Sequence, residues 1–268
     1  MTTSSPSSHS DIHIQTLLRG GKFERADMEI HPRIIMAVTA REKEGKTHFM
    51  LDAPGPLAIF DSDYGLEGVV SKFPGKEVLV YRVPMPDPEA KDAMGSCYDT
   101  FKSIDAAYDT VLSNPSIRTV CFDTSTEIWE MVRLAYFGRV EKVKPTDYGP
   151  ANGAMRRFLK KALDSDKNVI MVQKMKQEYL SNTFTGNYVM SGFGDIPHIA
   201  QVVVRPFYCT MDQELPDGQE AEAGDFGVHI VASRHNPKLN NTYYLGLMAT
   251  FPMIAAMVVT GTTPAMFR

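Results

Sequence analysis

A chain of 268 residues, 43% hydrophobic and 22% charged, has the composition of a globular protein long enough to bury a sizeable core. Its formal net charge of −4 gives no global attraction to nucleic acid, so any such binding has to come from a local basic patch. Cys97, Cys121 and Cys209 are widely spaced and form no C-x-x-C pair, which argues against a disulfide framework and a zinc site and points to a reducing, cytoplasmic compartment.

Residues 1–12 are rich in Ser, Thr and Pro and read as a disordered tail. This start has neither the basic segment nor the apolar core of an export signal, and the longest apolar run, near 253–259, is too short to span a bilayer. No membrane partner is expected. Residues 13–32 read as an N-terminal arm and a candidate subunit contact, and the folded domain occupies 33–268. Within it, β-branched runs predict strands at 34–38, 57–60, 77–83, 119–122, 168–172, 201–208 and 228–233. Apolar residues recurring at three and four predict helices at 46–51, 98–112, 128–138 and 151–163. Such alternation implies parallel strands with helical crossovers, hence an α/β fold with a mostly parallel central sheet flanked by helices.

The first strand runs into AREKEGKT, residues 40–47. A phosphate-binding loop curls successive backbone N–H groups round an anion, while its Lys reaches the β and γ phosphates and its Ser or Thr ligates Mg²⁺. It needs an apolar strand before, Gly-Lys-Thr, and a helix after, and all three are predicted here. Ala40 stands where the first glycine of G-x-x-x-x-G-K-[ST] belongs. The donors are backbone groups, so Ala40 can start the turn with a negative φ while Arg41, Glu42, Lys43 and Glu44 point outward. Gly45, Lys46, Thr47 and His48 complete the candidate nucleotide contacts. Phosphoryl transfer further needs an acid beside the metal and an acid to orient water. Asp123 ends the run TVCF, and Asp61 and Asp63 follow LAIF. A lone Asp is more often a helix cap or a turn residue; three of them at strand ends, where open α/β sheets bind ligands, carry more weight.

In this order the motifs resemble those of the RecA-like recombinase ATPases, most closely the phage-encoded AAA-type proteins associated with single-strand annealing. The similarity runs over residues 33–246. AREKEGKT is similar to the family's Gly-Pro-Glu-Ser-Ser-Gly-Lys-Thr, with Ala40 departing from its first glycine. The resemblance implies a RecA-like P-loop domain over 33–268, with ATP and Mg²⁺ as cofactors. It implies Lys46 on the phosphates, Thr47 and Asp123 at the metal, and Asp63 as the water-orienting acid, where the family has the longer Glu. Gln173 would sense the γ-phosphate, with Lys174 the alternative one residue on.

The resemblance also implies two DNA-facing loops. The first spans 138–150 and leads into a basic helix; from Arg133 to Lys161 eight basic residues face two acidic ones, a local charge of +6. Arg139, Lys142, Lys144, Arg156, Arg157, Lys160 and Lys161 are its candidate phosphate contacts, against the bland reading of a solvated helix face. The second loop spans 176–195, adds Lys176 and neighbouring Lys174, and interleaves Tyr179, Phe184, Tyr188 and Phe193 that could stack bases. A β-hairpin bending at residues 185–187 is the structural alternative for it. Arg234, after the last predicted strand, would act as an arginine finger in trans. The implied protein is an oligomeric, single-stranded-DNA-dependent ATPase, ring or filament, assisting recombination or strand annealing in a phage-infected bacterial host, with a single-strand-binding protein as a further partner. Two rivals keep most of the residues: a helicase, loader or packaging ATPase, and a nucleotide-binding scaffold that hydrolyses little.

Overall fold

In the computed structural model of the chain, the described residues are 18–19, 21, 24–25, 29–138 and 144–268. The residues 1–12 read as a tail lie outside them, as does most of the arm; Pro32–Arg268 forms one compact unit.

The elements follow the predicted alternation: β1 (Ile35–Ala40), α1 (Lys46–Leu51), β2 (Leu57–Asp61), β3 (Val78–Arg82), α2 (Ala93–Ser113), β4 (Thr119–Asp123), α3 (Ser125–Phe137) and α4 (Gly149–Lys160). Then come β5 (Asn168–Leu180), β6 (Thr183–Met190), α5 (Ile196–Ile199), β7 (Val202–Tyr208), β8 (Gln213–Glu214), β9 (Glu220–Ala221), β10 (Phe226–Ser233), β11 (Thr242–Leu245) and α6 (Phe251–Val258). α2 begins five residues before its predicted start because Asp92 caps it, its carboxylate accepting from the Gly95 N–H at 3.2 Å. α6 shows no helical period in the sequence because nearly every side of it is buried.

The main sheet has the order β11-β10-β7-β1-β5-β4-β2-β3. From β7 to β3 all neighbours are parallel; β10 and β11 extend the β7 edge antiparallel. Period-2 alternation sorts the strand side chains onto two faces. Met36, Val38, Ile59, Cys121, Ile170 and Val172 pack against α1 and α6. Ile35, Ala37, Phe60, Phe122, Val169 and Met171 pack against α2, α3 and α4. On the second face Phe122 sits 5.0 Å from the rings of Phe60 and Tyr108 and 5.1 Å from that of Phe158. Helices on both faces explain why the central strands β1, β2, β4 and the first half of β5 read as unbroken apolar runs.

The stretch 176–195 corrects one expectation. β5 overshoots the sheet and pairs antiparallel with β6, and the turn lies at Ser181 and Asn182, both with positive φ (50 and 64), rather than at 185–187. A tight hairpin turn needs left-handed backbone at both central residues, which Asn tolerates well. Residues 185–187 instead bulge out of β6 where the register shifts, with Gly186 at φ 86.

Candidate nucleotide-binding site

The carboxyl ends of β1, β2 and β4 and the middle of β5 converge on a cavity of about 570 Å³ lined by most of the 40–48 loop, Asp63, Gly65, Asp123, Lys174 and Tyr208. β1 delivers Ala40, fully buried and paired with Lys174, in strand geometry rather than the left-handed one a glycine would be needed for. The left-handed positions come later, at Lys43 (φ 63) and Gly45 (φ 87). Gly45 is required twice over, since a Cβ there would also lie 2.7 Å from the Phe226 ring. The Lys46 ammonium donates to the carbonyls of Ala40 (3.1 Å) and Arg41 (2.6 Å), and burial lowers its pKa against the partly offsetting charge of Asp123. Arg41, Glu42 and Lys43 are exposed as expected. Glu44 is not turned outward: its carboxylate accepts from the Arg41 N–H at 2.7 Å and from Arg41 Nε at 2.6 Å. A loop amide without a helical partner is satisfied this way.

Strand parity aims Asp61 and Asp123, register partners across β2 and β4, toward the α1 side. The two strand ends are tied together, Ser62 N–H donating to the Asp123 carbonyl (2.7 Å) and Thr124 N–H to Ser62 Oγ (2.8 Å). Thr47 Oγ1 donates to Asp123 Oδ2 at 3.2 Å. Burial first, and then the negative charge of Asp63, push Asp123 up to about 7, with the Thr47 hydrogen bond and Lys46 opposing. Asp61 is also raised, by burial and by Asp63, and its Oδ1 is buried without a partner.

Gly65, which sequence reasoning passed over, opens the centre of this group. A Cβ on it would stand 3.1 Å from Asp63 Oδ1 and 3.7 Å from both Asp123 Oδ2 and Thr47 Oγ1. Among the described residues no group of three His, Cys, Asp or Glu side chains closes round a metal unaided. An open cradle of hard oxygens with an orphaned carboxylate atom nearby nevertheless fits Mg²⁺, which takes one or two carboxylates and completes its shell with phosphate oxygens and water. Gly65→Ala should therefore fill the cradle without backbone strain, weakening ATP binding in the presence of Mg²⁺ about tenfold or more while leaving the urea midpoint in place. Calorimetric titration with and without the metal checks this, equal affinities in wild type and variant being the contrary result.

Gln173 does not line the cavity. It follows Val169 and Met171 onto the α3 face, fully buried, with Nε2 3.5 Å from the Ser191 carbonyl. Lys174 follows Ile170 and Val172 into the cavity, where its ammonium lies 2.5 Å from Glu127 and 3.8 Å from Asp63. Alternation along β5 was the signal that could have chosen between the two.

Beside the loop an apolar slot of about 300 Å³ opens between His48 and Phe73 on one side and Tyr208 and Phe226 on the other. Ring centroids are 5.9 Å apart in the first pair and 5.2 Å in the second. It shares His48 and Tyr208 with the larger cavity.

The remaining sequence candidates lie elsewhere. Arg139 and Lys142 fall outside the described residues. Lys144, Arg156, Arg157, Lys160 and Lys176 are exposed. Arg156 is paired with Asp195 at 2.5 Å, and Lys161, just past the end of α4, with Asp105 and Asp109 at 2.7 Å each, so two of the four cations at 156–161 already have carboxylate partners. Arg234 is bonded to the His198 carbonyl at the opposite end of the sheet, because β10 runs antiparallel and its last residue pairs with the first of β7. The length of β7 separates it from the loop end, roughly 20 Å at about 3.3 Å per residue.

Among the described residues no helix is long and apolar enough to cross a membrane. The chain matches no family model and no curated protein sequence.

Proposed function

We propose that the chain is a Mg²⁺-dependent ATPase with a RecA-like phosphate-binding loop, working on single-stranded DNA. The observation that carries this reading is the convergence of Lys46, Thr47, Asp63, Gly65 and Asp123, from three separate segments, on one cavity. No local structural need explains that grouping, since Asp61 and Asp123 are buried and the neighbouring Asp63 charge raises the pKa of both.

In this reading Lys46 leaves its two loop carbonyls for the β and γ phosphate oxygens, and the left-handed turns at Lys43 and Gly45 direct loop N–H groups at the same anion. Thr47 and Asp123 would hold Mg²⁺ together with phosphate oxygens. Bound there, the metal neutralises charge on the transferring phosphoryl group. Asp63 stands across the cradle from Thr47 and orients the attacking water. Lys174, shared between Glu127 and Asp63, restrains that carboxylate and supplies positive charge near it. The adenine ring occupies the slot of His48, Phe73, Tyr208 and Phe226.

The test is phosphate release with and without single-stranded DNA. Release stimulated by DNA supports the reading, and absence of ATP binding sinks it. Tight ATP binding without release selects a nucleotide-binding scaffold, a rival that gains from the 3.8 Å approach of Lys174 to Asp63. DNA-stimulated release without strand pairing selects a helicase, loader or packaging role.

For DNA the paired cations at 156–161 sharpen the expectation. Arg157 and Lys160 have no carboxylate partner among the described residues, so the Arg157→Ala/Lys160→Ala variant should flatten the slope of log affinity against log salt by about 1.4, at about 0.7 per single-strand phosphate contact. Fluorescence anisotropy at several salt concentrations measures it; an unchanged slope would take α4 out of the DNA interface.

Assembly is tested through Arg234, which is too far from its own loop to serve it and can reach a nucleotide only on another copy. Arg234→Ala mixed with Lys46→Ala, each inactive alone, should recover part of the activity. No recovery despite co-assembly would remove the arginine-finger role.

A further inference from the structure

A second cavity, of about 490 Å³, lies on the other side of the phosphate loop. Its size falls in the range of small-molecule sites. Its floor is one row across the three edge strands: Arg205 of β7, His229 of β10 and Tyr243 of β11 are successive register partners and share the face away from α1. That face is not covered by α2, α3 and α4 here. The β8–β9 hairpin roofs one end with Gln213 and Leu215, and the β6 bulge forms a wall with Gly186, Asn187 and Tyr188. Close packing under the row depends on Gly227, where a Cβ would meet the Phe207 ring at 2.3 Å.

The polar groups of this row are unfinished. Arg205 Nε is buried with no hydrogen-bond partner, and no carboxylate among the described residues pairs with the guanidinium. His229 Nε2 is likewise buried and unpartnered, and burial together with the Arg205 charge lowers its pKa. Buried donors normally have partners, and an arginine fork left open toward a cavity calls for a bidentate oxyanion. Beside it the His229 and Tyr243 rings are stacked at 4.3 Å and 4°. With Tyr188 and Phe207 they make the other half of the cavity aromatic.

We infer that this cavity binds one nucleotide unit, its phosphate on Arg205 and its base against the aromatic wall. The phosphate and ring could come from a single strand of nucleic acid or from a free nucleotide; where the source is a strand, the inference rests on the DNA-binding reading above. The cavity is wired to the phosphate loop. Arg41 lines it, bonds Glu44 and lies 5.2 Å from the centroid of the Tyr188 ring, so a phosphate entering here competes with Glu44 for Arg41 and releases the loop amide that Glu44 holds.

The experiment uses the full chain, with oligothymidylate and thymidine 5′-monophosphate as separate probes in titrations. Arg205→Gln removes the anion contact, and Asn187→Trp fills the cavity from the exposed β6 wall without touching the sheet. Either should weaken the bound probe about tenfold or more, the loss of one charge-assisted or stacking contact, while ATP affinity at the loop stays at the wild-type value. Oligothymidylate affected in both variants identifies a strand as the occupant; the monophosphate affected without the oligonucleotide identifies a free nucleotide. The inference is overturned if both variants bind each probe as the wild type does, or if the wild type binds neither. Lys46→Ala run alongside separates the outcomes, because failure of the ATP reading appears there as unchanged ATP affinity whatever the probes do.

Discussion

Lys46→Ala is expected to lose ATP binding by about 2–5 kcal/mol, the range for truncating one partner of a desolvated, hydrogen-bonded charge pair. At about 1.4 kcal/mol per decade this is roughly thirtyfold to more than a thousandfold in affinity. Lys46 is half-buried, its ammonium is satisfied only by two carbonyls of its own loop, and burial already disfavours its charge. An anion arriving at the loop relieves that cost, so the cation and the phosphates stabilise each other. The fold should survive, because Phe49, Met50 and Leu51 anchor α1 in the core. Isothermal titration decides the matter: an unchanged dissociation constant would rule out this loop as the ATP site.

Asp63→Asn should bind ATP and lose turnover about 10²–10⁴-fold, the usual worth of a positioned acid or base. The change keeps the size of the side chain and removes a charge that raises both Asp123 and Asp61. Repulsion of the incoming phosphates falls with it, so affinity should hold or improve while phosphate release stops. Such a split between binding and chemistry is what a water-orienting role predicts and a structural role does not. Normal turnover would shift the role to Asp61, whose buried Oδ1 has no partner.

What could be read from the amino-acid order alone is what lies close along the chain. The 40–47 loop is contiguous, and its demands on backbone and glycine are local, so the strand, the left-handed Gly45 and the helix after it were legible. The central parallel strands β1, β2, β4 and the first half of β5 were legible as apolar runs because both of their faces are buried. Even which of Gln173 and Lys174 lines the cavity was available in the alternation of Ile170, Val172 and Lys174 along β5.

Only the tertiary structure decided which strands are neighbours and which way they run. Hydrophobic period carries no direction, and so the sequence placed Arg234 after a strand without saying at which end of the sheet; the antiparallel course of β10 puts it at the end away from the 40–48 loop. Composition showed a +6 segment, yet Asp195, Asp105 and Asp109 arrive from other elements to pair with Arg156 and Lys161. Tyr208 and Phe226 form one aromatic wall because β7 and β10 pair at their ends, and Arg205, His229 and Tyr243 form one row because three strands share a register. Cross-strand neighbours are set by sheet order and register, and those follow from how the buried faces of all the strands and helices fit together at once.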